Sequence, residues 1–261
     1  MSRRASPVLA SIGVWLALLG IWWLVAATQQ RPGTLWPTPA QVAVTLWQLR
    51  GAFAANAGTT VEEAALGFAA AVVLAVLVGL AGERYRPLAG SLNRLAIGVY
   101  SLPLIALAPA LVLWTGSGLT TKVIIAALAA FFPVLINLTQ ALRSTDPNAL
   151  ELMRAGGASS WQVFRRVELP YALPALFAAF TIAAPAAILG AMLAEWVGAD
   201  SGLGIQLLDS MQNDDVPELY ASLAAASLLS LAAWLVFSVA GRWLFPWHAS
   251  QQAAGAGSQQ R

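Results

Sequence analysis

The residues of this chain that could do chemistry or bind a partner lie mainly in one polar stretch, residues 144–170, between two long apolar segments. The stretch holds Asp146, Glu151, Arg154 and the pair Arg165-Arg166. Catalysis at a membrane boundary would need a constellation of His, Asp, Glu or Ser side chains, and the stretch does not show one. Its pattern instead indicates a surface that contacts another protein or lipid headgroups.

The composition excludes several kinds of site and indicates a membrane protein. Of the 261 residues, 59% are hydrophobic and 10% are charged, whereas soluble domains carry about 25% charged residues. There is no cysteine and a single histidine, His248, which excludes disulfides and thiolate sites and argues against zinc. No Gly-x-x-x-x-Gly-Lys-Ser/Thr motif is present to hold ATP phosphates. The net charge of +2 predicts no nucleic-acid partner.

Local signals divide the polar stretch into two short helices. Asp146 is a good N-cap and Pro147 suits the first helical position, so a helix is expected to reach about Ala155. The pair Gly156-Gly157 is expected to break it. A second helix, capped by one of the two following serines, is expected to end before Pro170.

The second helix leaves two interpretations open. Three apolar residues recur at every third position and give it an apolar stripe: Trp161, Phe164 and Val167. Beside the paired arginines, this stripe suits a helix that rests on lipid headgroups. It suits equally a compact cytoplasmic knob that docks on a partner, and the physical pattern alone does not decide between them.

Six apolar segments are long enough to be membrane-spanning helices, which need about 20 residues. The chain is therefore expected to be an all-α integral membrane protein with one domain over residues 1–250, and the polar tail 251–261 is expected to be disordered. The predicted spans are residues 8–27, 64–82, 95–116, 123–142, 171–194 and 219–241.

The distribution of basic residues predicts that both termini are cytoplasmic. With the N-terminus inside, 11 of the 14 Lys and Arg residues fall on the inner side. The three basic residues left outside are Arg31, Arg50 and Lys122. Between Val167 and Gly241 there is no Lys or Arg, which agrees with an external loop between the last two spans.

The spacing within the polar stretch resembles the cytoplasmic loop motif of the permease subunits of ATP-driven (ABC) importers. That motif is Glu-Ala-Ala, three residues, Gly, nine residues, Ile, one residue, Leu-Pro. Here Glu151 is followed by Gly157, then Val167 and Leu169-Pro170 at the same spacing. The chain departs from the motif at Leu152-Met153, where the two alanines are replaced, and at Val167, which replaces Ile.

The resemblance extends along most of the chain, to the branch of this family that serves sulfonate, taurine, nitrate and pyrimidine-precursor uptake. It implies a type I ABC importer permease fold in a bacterial inner membrane, with a cytoplasmic coupling helix between spans four and five. The stretches that carry it are Leu35–Pro39, Leu66–Phe68, Pro103–Gly116, Phe131–Leu135, Arg143–Pro147, Ala194–Glu195 and Ser201–Gly204.

The resemblance also implies a division of labour among several chains. A cytoplasmic dimer of ABC ATPases would bind ATP and Mg, so this chain would be non-catalytic and hold no cofactor itself. A periplasmic or lipid-anchored binding protein would deliver a small solute, and a second copy of the permease would complete a homodimer. The implied ATPase-coupling residues are Glu151, Leu152, Met153, Arg154, Gly157, Ala158, Ser159, Leu169 and Pro170.

Span three is the best candidate for the translocation pathway because it contains two prolines. Proline frees backbone carbonyls, and a membrane tolerates this where neighbouring helices or a water-filled cavity satisfy them. A merely kinked packing helix is the alternative. The candidate pathway residues are Tyr100, Ser101, Pro103, Pro109, Trp114 and Asn137.

Three further expectations concern charged and small residues. Glu195 directly follows span five and is expected to be solvated, with a gate or a solute contact as the alternative. Glu62 and Glu63 lie at the outer entry of span two, where they can pair with Arg50. The small residues of span five, from Ala178 to Ala191, are expected to allow close helix packing.

An ATP-independent secondary transporter or channel is the alternative function. Such proteins usually place ionisable residues inside their spans and are often built from inverted repeats. The predicted span interiors have no ionisable residue, and the sequence shows no clear internal repeat. Both features favour the importer permease.

Overall fold

The computed structural model describes residues 5–29, 35–85, 90, 94 and 97–245, which form helices joined by turns and no strand. We number the helices in chain order, with a π-helical turn, Phe164–Glu168, between the seventh and the eighth. They are α1 (Ala5–Thr28), α2 (Pro39–Gln48), α3 (Arg50–Arg84), α4 (Leu104–Thr115), α5 (Leu119–Arg143), α6 (Pro147–Ala155), α7 (Ser160–Val163), α8 (Leu169–Glu195), α9 (Leu203–Gln212) and α10 (Val216–Leu244).

Four helical stretches among the described residues are long and apolar enough to cross a membrane, which confirms an all-α membrane architecture. They are Arg50–Gly82, Leu119–Arg143, Ser160–Glu195 and Val216–Leu244. Shorter apolar helices occur at Ile12–Thr28 and Leu104–Thr115. The count of six spans stays a prediction, and the tail 251–261 and His248 lie outside the described residues.

The predicted third span, residues 95–116, is not one continuous helix. Residues 97–100 are helical, the chain then leaves the helix at Ser101 and Leu102, and α4 begins after Pro103. Proline has no N–H for an intrahelical bond and disfavours helical geometry in the residue before it, which explains the interruption. The 12 residues of α4 rise only about 18 Å.

Helix α3 begins 14 residues earlier than the predicted second span, 64–82. The first half of α3 carries Asn56, Thr60 and Glu63, and these polar residues made it look unlike a membrane helix. In the structure Thr60 and Glu63 are buried against other helices, so their polarity does not mark a loop. The 35 residues of α3 span about 52 Å, which exceeds the roughly 30 Å of a bilayer's hydrocarbon core.

The core lies where α3, α5 and α8 pack together, and α10 and α9 pack on this group. Its central residues are small: Ala126 and Ala130 of α5 and Ala183 and Ala187 of α8 are almost completely buried. Small side chains let helix backbones approach closely, which is how membrane helices associate without a hydrophobic driving force between them. The predicted role of the small residues in span five is confirmed.

Gly190 of α8 lies where α5 and α8 approach each other closely. A Cβ atom added at Gly190 would lie 2.9 Å from the Ala126 Cα and 2.9 Å from the Ala129 Cβ. Both distances are shorter than real Cβ contacts allow, so only glycine fits without movement of a helix.

We expect Gly190→Ala to destabilise the protein by about 1–3 kcal/mol, because the added methyl forces α5 and α8 apart. Gly58→Ala in α3 is the matched control, since a Cβ there meets no atom within 4 Å. It should be neutral or stabilising by up to about 1 kcal/mol, since alanine favours a helix over glycine. Thermal unfolding of both variants in detergent is the measurement. Equal midpoints would contradict the packing assigned to Gly190.

Candidate functional site

The polar stretch folds as a compact knob of two short helices, α6 and α7, followed by the π-helical turn. Asp146 caps α6 as predicted, because its Oδ1 accepts a hydrogen bond of 2.9 Å from the Asn148 N–H. Ser159, rather than Ser160, caps α7 in a reciprocal arrangement with Gln162. The Ser159 N–H donates to Gln162 Oε1 at 2.8 Å, and the Gln162 N–H donates to Ser159 Oγ at 3.4 Å.

The glycine pair ends α6 as predicted. The Gly156 N–H donates to the Leu152 carbonyl at 3.0 Å, and the Ala158 N–H donates to the Met153 carbonyl at 3.0 Å. Gly157 has a φ of +76°, which side chains other than glycine rarely adopt. The chain therefore turns sharply at Gly157, and the turn is complete at Ala158, 12 residues after the first cap, Asp146.

The helix that starts at Ser160 does not end before Pro170, so that prediction is wrong. It widens into a π turn at Phe164–Glu168, where the Leu169 N–H donates to the Phe164 carbonyl five residues back. It then continues as α8, with Pro170 in the first turn. A proline ring would clash with a carbonyl four residues earlier in a regular helix, and the wider turn accommodates it.

The predicted coupling residues lie together on the knob and at the start of α8. Glu151, Arg154, Gly157, Ser159 and Pro170 are exposed. Met153, Ala158 and Leu169 are half-buried. Leu152 is 76% exposed, and Trp161, which stacks on Phe164 with ring centroids 5.6 Å apart, is 65% exposed. The residue that anchors the knob is Val163, which is buried and lies outside the predicted stripe.

The predicted pathway residues are not brought together in one place. Tyr100 stacks on Phe132 of α5 with ring centroids 4.3 Å apart, beside the interruption formed by Ser101 and Pro103. Pro109 lies inside α4 and Trp114 lies at its end, where it is 80% exposed. Asn137 of α5 donates to the carbonyl of Pro133 in its own helix at 2.8 Å. Their pathway role stays a prediction.

A buried polar cluster, which the sequence did not predict, joins four helices. We define it as Asn56, Thr60 and Glu63 of α3, Lys122 of α5, Glu195 of α8 and Gln206 of α9. The Lys122 Nζ lies 2.6 Å from Glu63 Oε1. Glu195 is 0% exposed, and its Oε1 accepts a 2.6 Å hydrogen bond from the Thr60 hydroxyl.

Glu195 lies against the N-terminus of α9, where helix N–H groups have no partner within the helix. Its Oε2 accepts a hydrogen bond from the Gly204 N–H. The Leu203 N–H donates to Thr60 Oγ1 at 2.9 Å, and the Gly202 N–H donates to Asn56 Oδ1 at 3.0 Å. Three consecutive N–H groups of this helix start are thus bound by side chains from α3 and α8.

Two glycines make room for the Glu195 carboxylate. Gly202 has a φ of +127°, and a Cβ atom there would overlap the carboxylate. A Cβ atom at Gly204 would overlap the Met192 carbonyl oxygen and lie 2.7 Å from Glu195 Oε2. The cluster extends outward through Gln206, which accepts from Asn56 Nδ2 at 2.9 Å and donates to Glu218 Oε1 at 3.0 Å.

These contacts correct three expectations. Glu195 is buried rather than solvated. Glu63 pairs with Lys122 rather than Arg50, whose guanidinium stacks over the Trp47 ring at 4.9 Å. Ionisable residues also occur inside the observed spanning helices, although they lie just outside the predicted spans.

One signal could have found the cluster. Glu63, Lys122 and Glu195 each lie one residue beyond a predicted span, at the end predicted to be external. Three helices that cross a membrane bring such positions to one level, where opposite charges can meet. The burial of the cluster depended on the position of α9, which the sequence pattern did not predict.

Similar proteins were found along nearly the whole chain. It is 34% identical over 253 residues to the riboflavin transport system permease protein RibX of Chloroflexus aurantiacus, covering 96% of this chain and 94% of the relative. It is 30% identical to the formylaminopyrimidine transport permease protein ThiX of Halalkalibacterium halodurans, covering 95% and 100%. It is 28% identical to the taurine transport system permease protein TauC of Escherichia coli, covering 94% and 92%.

The fold is also that of a solved transporter. A chain of the MetNI methionine ABC transporter, in an inward-facing conformation, superposes with a TM-score of 0.64 at 21% identity. The superposition covers 76% of this chain and 96% of that chain.

A bundle of long apolar helices, with a buried polar cluster and an exposed capped knob between α5 and α8, defines a multi-pass membrane protein. Residues 71–249 match the family described as binding-protein-dependent transport system inner membrane component, and the chain belongs to this family. It is an ABC importer permease of the sulfonate and taurine branch, as its sequence indicated.

We expect Glu195→Gln to lower the free energy of unfolding by about 1–3 kcal/mol. An amide has one acceptor oxygen, so it cannot accept from both Thr60 and Gly204 through separate oxygens, and a buried group is left unpaired. Glu62→Gln is the matched control, because Glu62 is exposed on the same helix turn as Glu63. Both variants are compared by thermal unfolding in detergent. An unchanged midpoint for Glu195→Gln would show that the cluster contributes nothing to stability.

Proposed function

We propose that residues 146–170 dock on a cytoplasmic ABC ATPase and transmit its closure to the membrane helices, which then alternate access to the pathway. The single observation that carries this proposal is the exposure of large apolar side chains on a well-capped knob. Helix α6 buries no residue, and Leu152 and Trp161 project from the knob. Apolar side chains that lie exposed on a rigid element suit insertion into a partner's cleft.

The charge of the knob argues against the alternative of a helix resting on lipid. Residues 146–170 contain three acidic residues, Asp146, Glu151 and Glu168, and three arginines, at 154, 165 and 166. The segment is therefore formally neutral, whereas helices that bind anionic membranes carry an excess of Lys and Arg. Mixed charges around an apolar centre suit a protein interface.

A continuous helical stretch connects the knob to the buried polar cluster. From Ser160 the chain remains helical through the π turn and α8 to Glu195, which lies in the buried polar cluster. A displacement of the knob would thus be carried by one helical rod into the contacts among α3, α5 and α9. The role of the coupling residues is to fit the ATPase, and the role of α8 is to transmit the movement.

We propose the partner set of an ABC importer for this chain. A dimer of ATPases binds ATP and Mg, and this chain is the non-catalytic permease. A binding protein delivers solute to the outer face, and a second copy of the permease forms a homodimer.

We propose a vitamin or vitamin precursor as the solute, in preference to nitrate or a sulfonate with a net negative charge. The side predicted to be external has a cavity of about 390 Å³ between α3, α9 and the start of α10. Its lining includes the acidic residues Asp200, Asp209, Asp215 and Glu218. Carboxylates repel anions, which disfavours nitrate and sulfonates, while the names of RibX and ThiX refer to neutral heterocycles.

The docking proposal predicts that Leu152→Ala and Glu151→Ala weaken ATPase binding about tenfold, which corresponds to the loss of about 1.4 kcal/mol. Leu77→Ala is the control, because Leu77 is an exposed leucine on α3 away from the knob. Binding is measured by co-purification with the ATPase in detergent. Reconstituted wild type should import solute only with ATP. Equal ATPase binding by all variants, or uptake without ATP, would contradict the proposal.

The proposed orientation, with both termini cytoplasmic, can be tested because the chain has no cysteine. We expect a membrane-impermeant maleimide to label Asn213→Cys in intact cells and to label Ser160→Cys only after the cells are opened. Both residues are exposed, and they lie at opposite ends of the bundle. Labelling of Ser160→Cys in intact cells would show that the orientation is the opposite of the one proposed.

A further inference from the structure

A groove between α8 and α10 lies apart from the knob and from the polar cluster. It encloses about 350 Å³ and is lined mainly by apolar and aromatic side chains. Phe177 and Phe237 lie in the groove, Pro174 and Arg242 lie at one end, and Trp234 lies at the other. Helix α10 buries residues only in its first half, so the groove opens onto the outer surface of the bundle.

Arg242 is the charged residue of this groove. It is exposed, in the last turn of α10, and forms no salt bridge with an acidic side chain among the described residues. A cation at a helix C-terminus is favoured by the helix dipole, which accounts for its presence on α10. The dipole does not account for its position in the mouth of an apolar groove.

The groove has the polarity and the length of a lipid. Trp234 and Arg242 are eight residues apart on α10, which corresponds to about 12 Å along the helix. Pro174 and Thr181 of α8 cover about 10 Å in the opposite direction. The groove therefore runs from one charged end into an apolar interior over the length of the upper part of an acyl chain.

We propose that this groove binds one anionic phospholipid, with the phosphate on Arg242 and an acyl chain against Phe177, Phe237 and Trp234. The charge of Arg242, the apolar lining and the opening toward the bundle surface together select this occupant. Arg242 lies at the end of α10 that the basic-residue distribution places in the cytoplasmic leaflet, where anionic lipids are enriched. The site lies beside Pro174, four residues after the end of the knob, so the lipid contacts the base of the coupling segment.

The test uses the full-length protein and native mass spectrometry with phosphatidylglycerol or phosphatidylcholine. Both lipids carry a phosphate, and they are used with the same acyl chains. A difference in their retention therefore reports the effect of the net negative charge of phosphatidylglycerol. Wild type is expected to retain one phosphatidylglycerol per chain in preference to phosphatidylcholine. Arg242→Gln should reduce that preference about fivefold, the contribution of one basic residue near an anionic surface. Arg50→Gln, a substitution of another exposed arginine outside the groove, should leave it unchanged.

A second variant tests the apolar part of the groove. Thr181→Trp fills the end of the groove away from Arg242, so it should reduce retention of both lipids, while Arg242→Gln should change only the preference between them. The proposal is overturned if Arg242→Gln and wild type prefer phosphatidylglycerol equally, or if Arg50→Gln lowers the preference as much. It is also overturned if Trp234→Cys forms a disulfide with the same variant of a second copy of this chain, because that copy would then cover the groove.

Discussion

The fold depends on how one buried carboxylate, that of Glu195, is accommodated. Taking a carboxylate out of water costs several kcal/mol unless hydrogen bonds and opposite charges offset the loss. Here the Thr60 hydroxyl, the Gly204 N–H and the positive end of the α9 dipole surround it, and Lys122 contributes a nearby positive charge. Because these groups come from four different helices, satisfying the carboxylate also fixes α3, α5, α8 and α9 relative to one another. Gly202 provides the space that the carboxylate needs.

This constraint separates the packed helices α3, α5, α8 and α9, which we call the frame, from the exposed knob. The small residues around Gly190 hold α5 against α8, and the polar cluster fixes the C-terminus of α8 just beyond them. The knob has no comparable anchor, because α6 buries nothing and Val163 is the buried residue of α7. Its shape comes from caps and from the positive φ of Gly157, which are local interactions. A rigid shape with few contacts to the frame is suited to binding a separate partner.

The sequence predicted the features that depend on local chemistry. The cap at Asp146, a second cap at Ser159 or Ser160 and the break at Gly156-Gly157 follow from side-chain hydrogen bonds and glycine φ preferences, which act over a few residues. The sequence did not predict the burial of Glu195, because burial depends on α9 returning to the bundle from a polar loop. It also missed the π turn before Pro170, since a widened turn is selected by the helices on both sides. Hydropathy ended the predicted spans at charged residues. Three of these residues, Glu63, Lys122 and Glu195, are buried in the polar cluster.

Amide hydrogen exchange at the start of α9 tests most directly whether the Glu195 cluster fixes the frame. The first N–H groups of a helix normally exchange fast, because they have no partner within the helix. The N–H groups of Gly202, Leu203 and Gly204 are instead bound by Asn56, Thr60 and Glu195. We predict that these three amides are protected as strongly as those in the middle of α8. Exchange as fast as that of the exposed first turn of α6 would contradict the account.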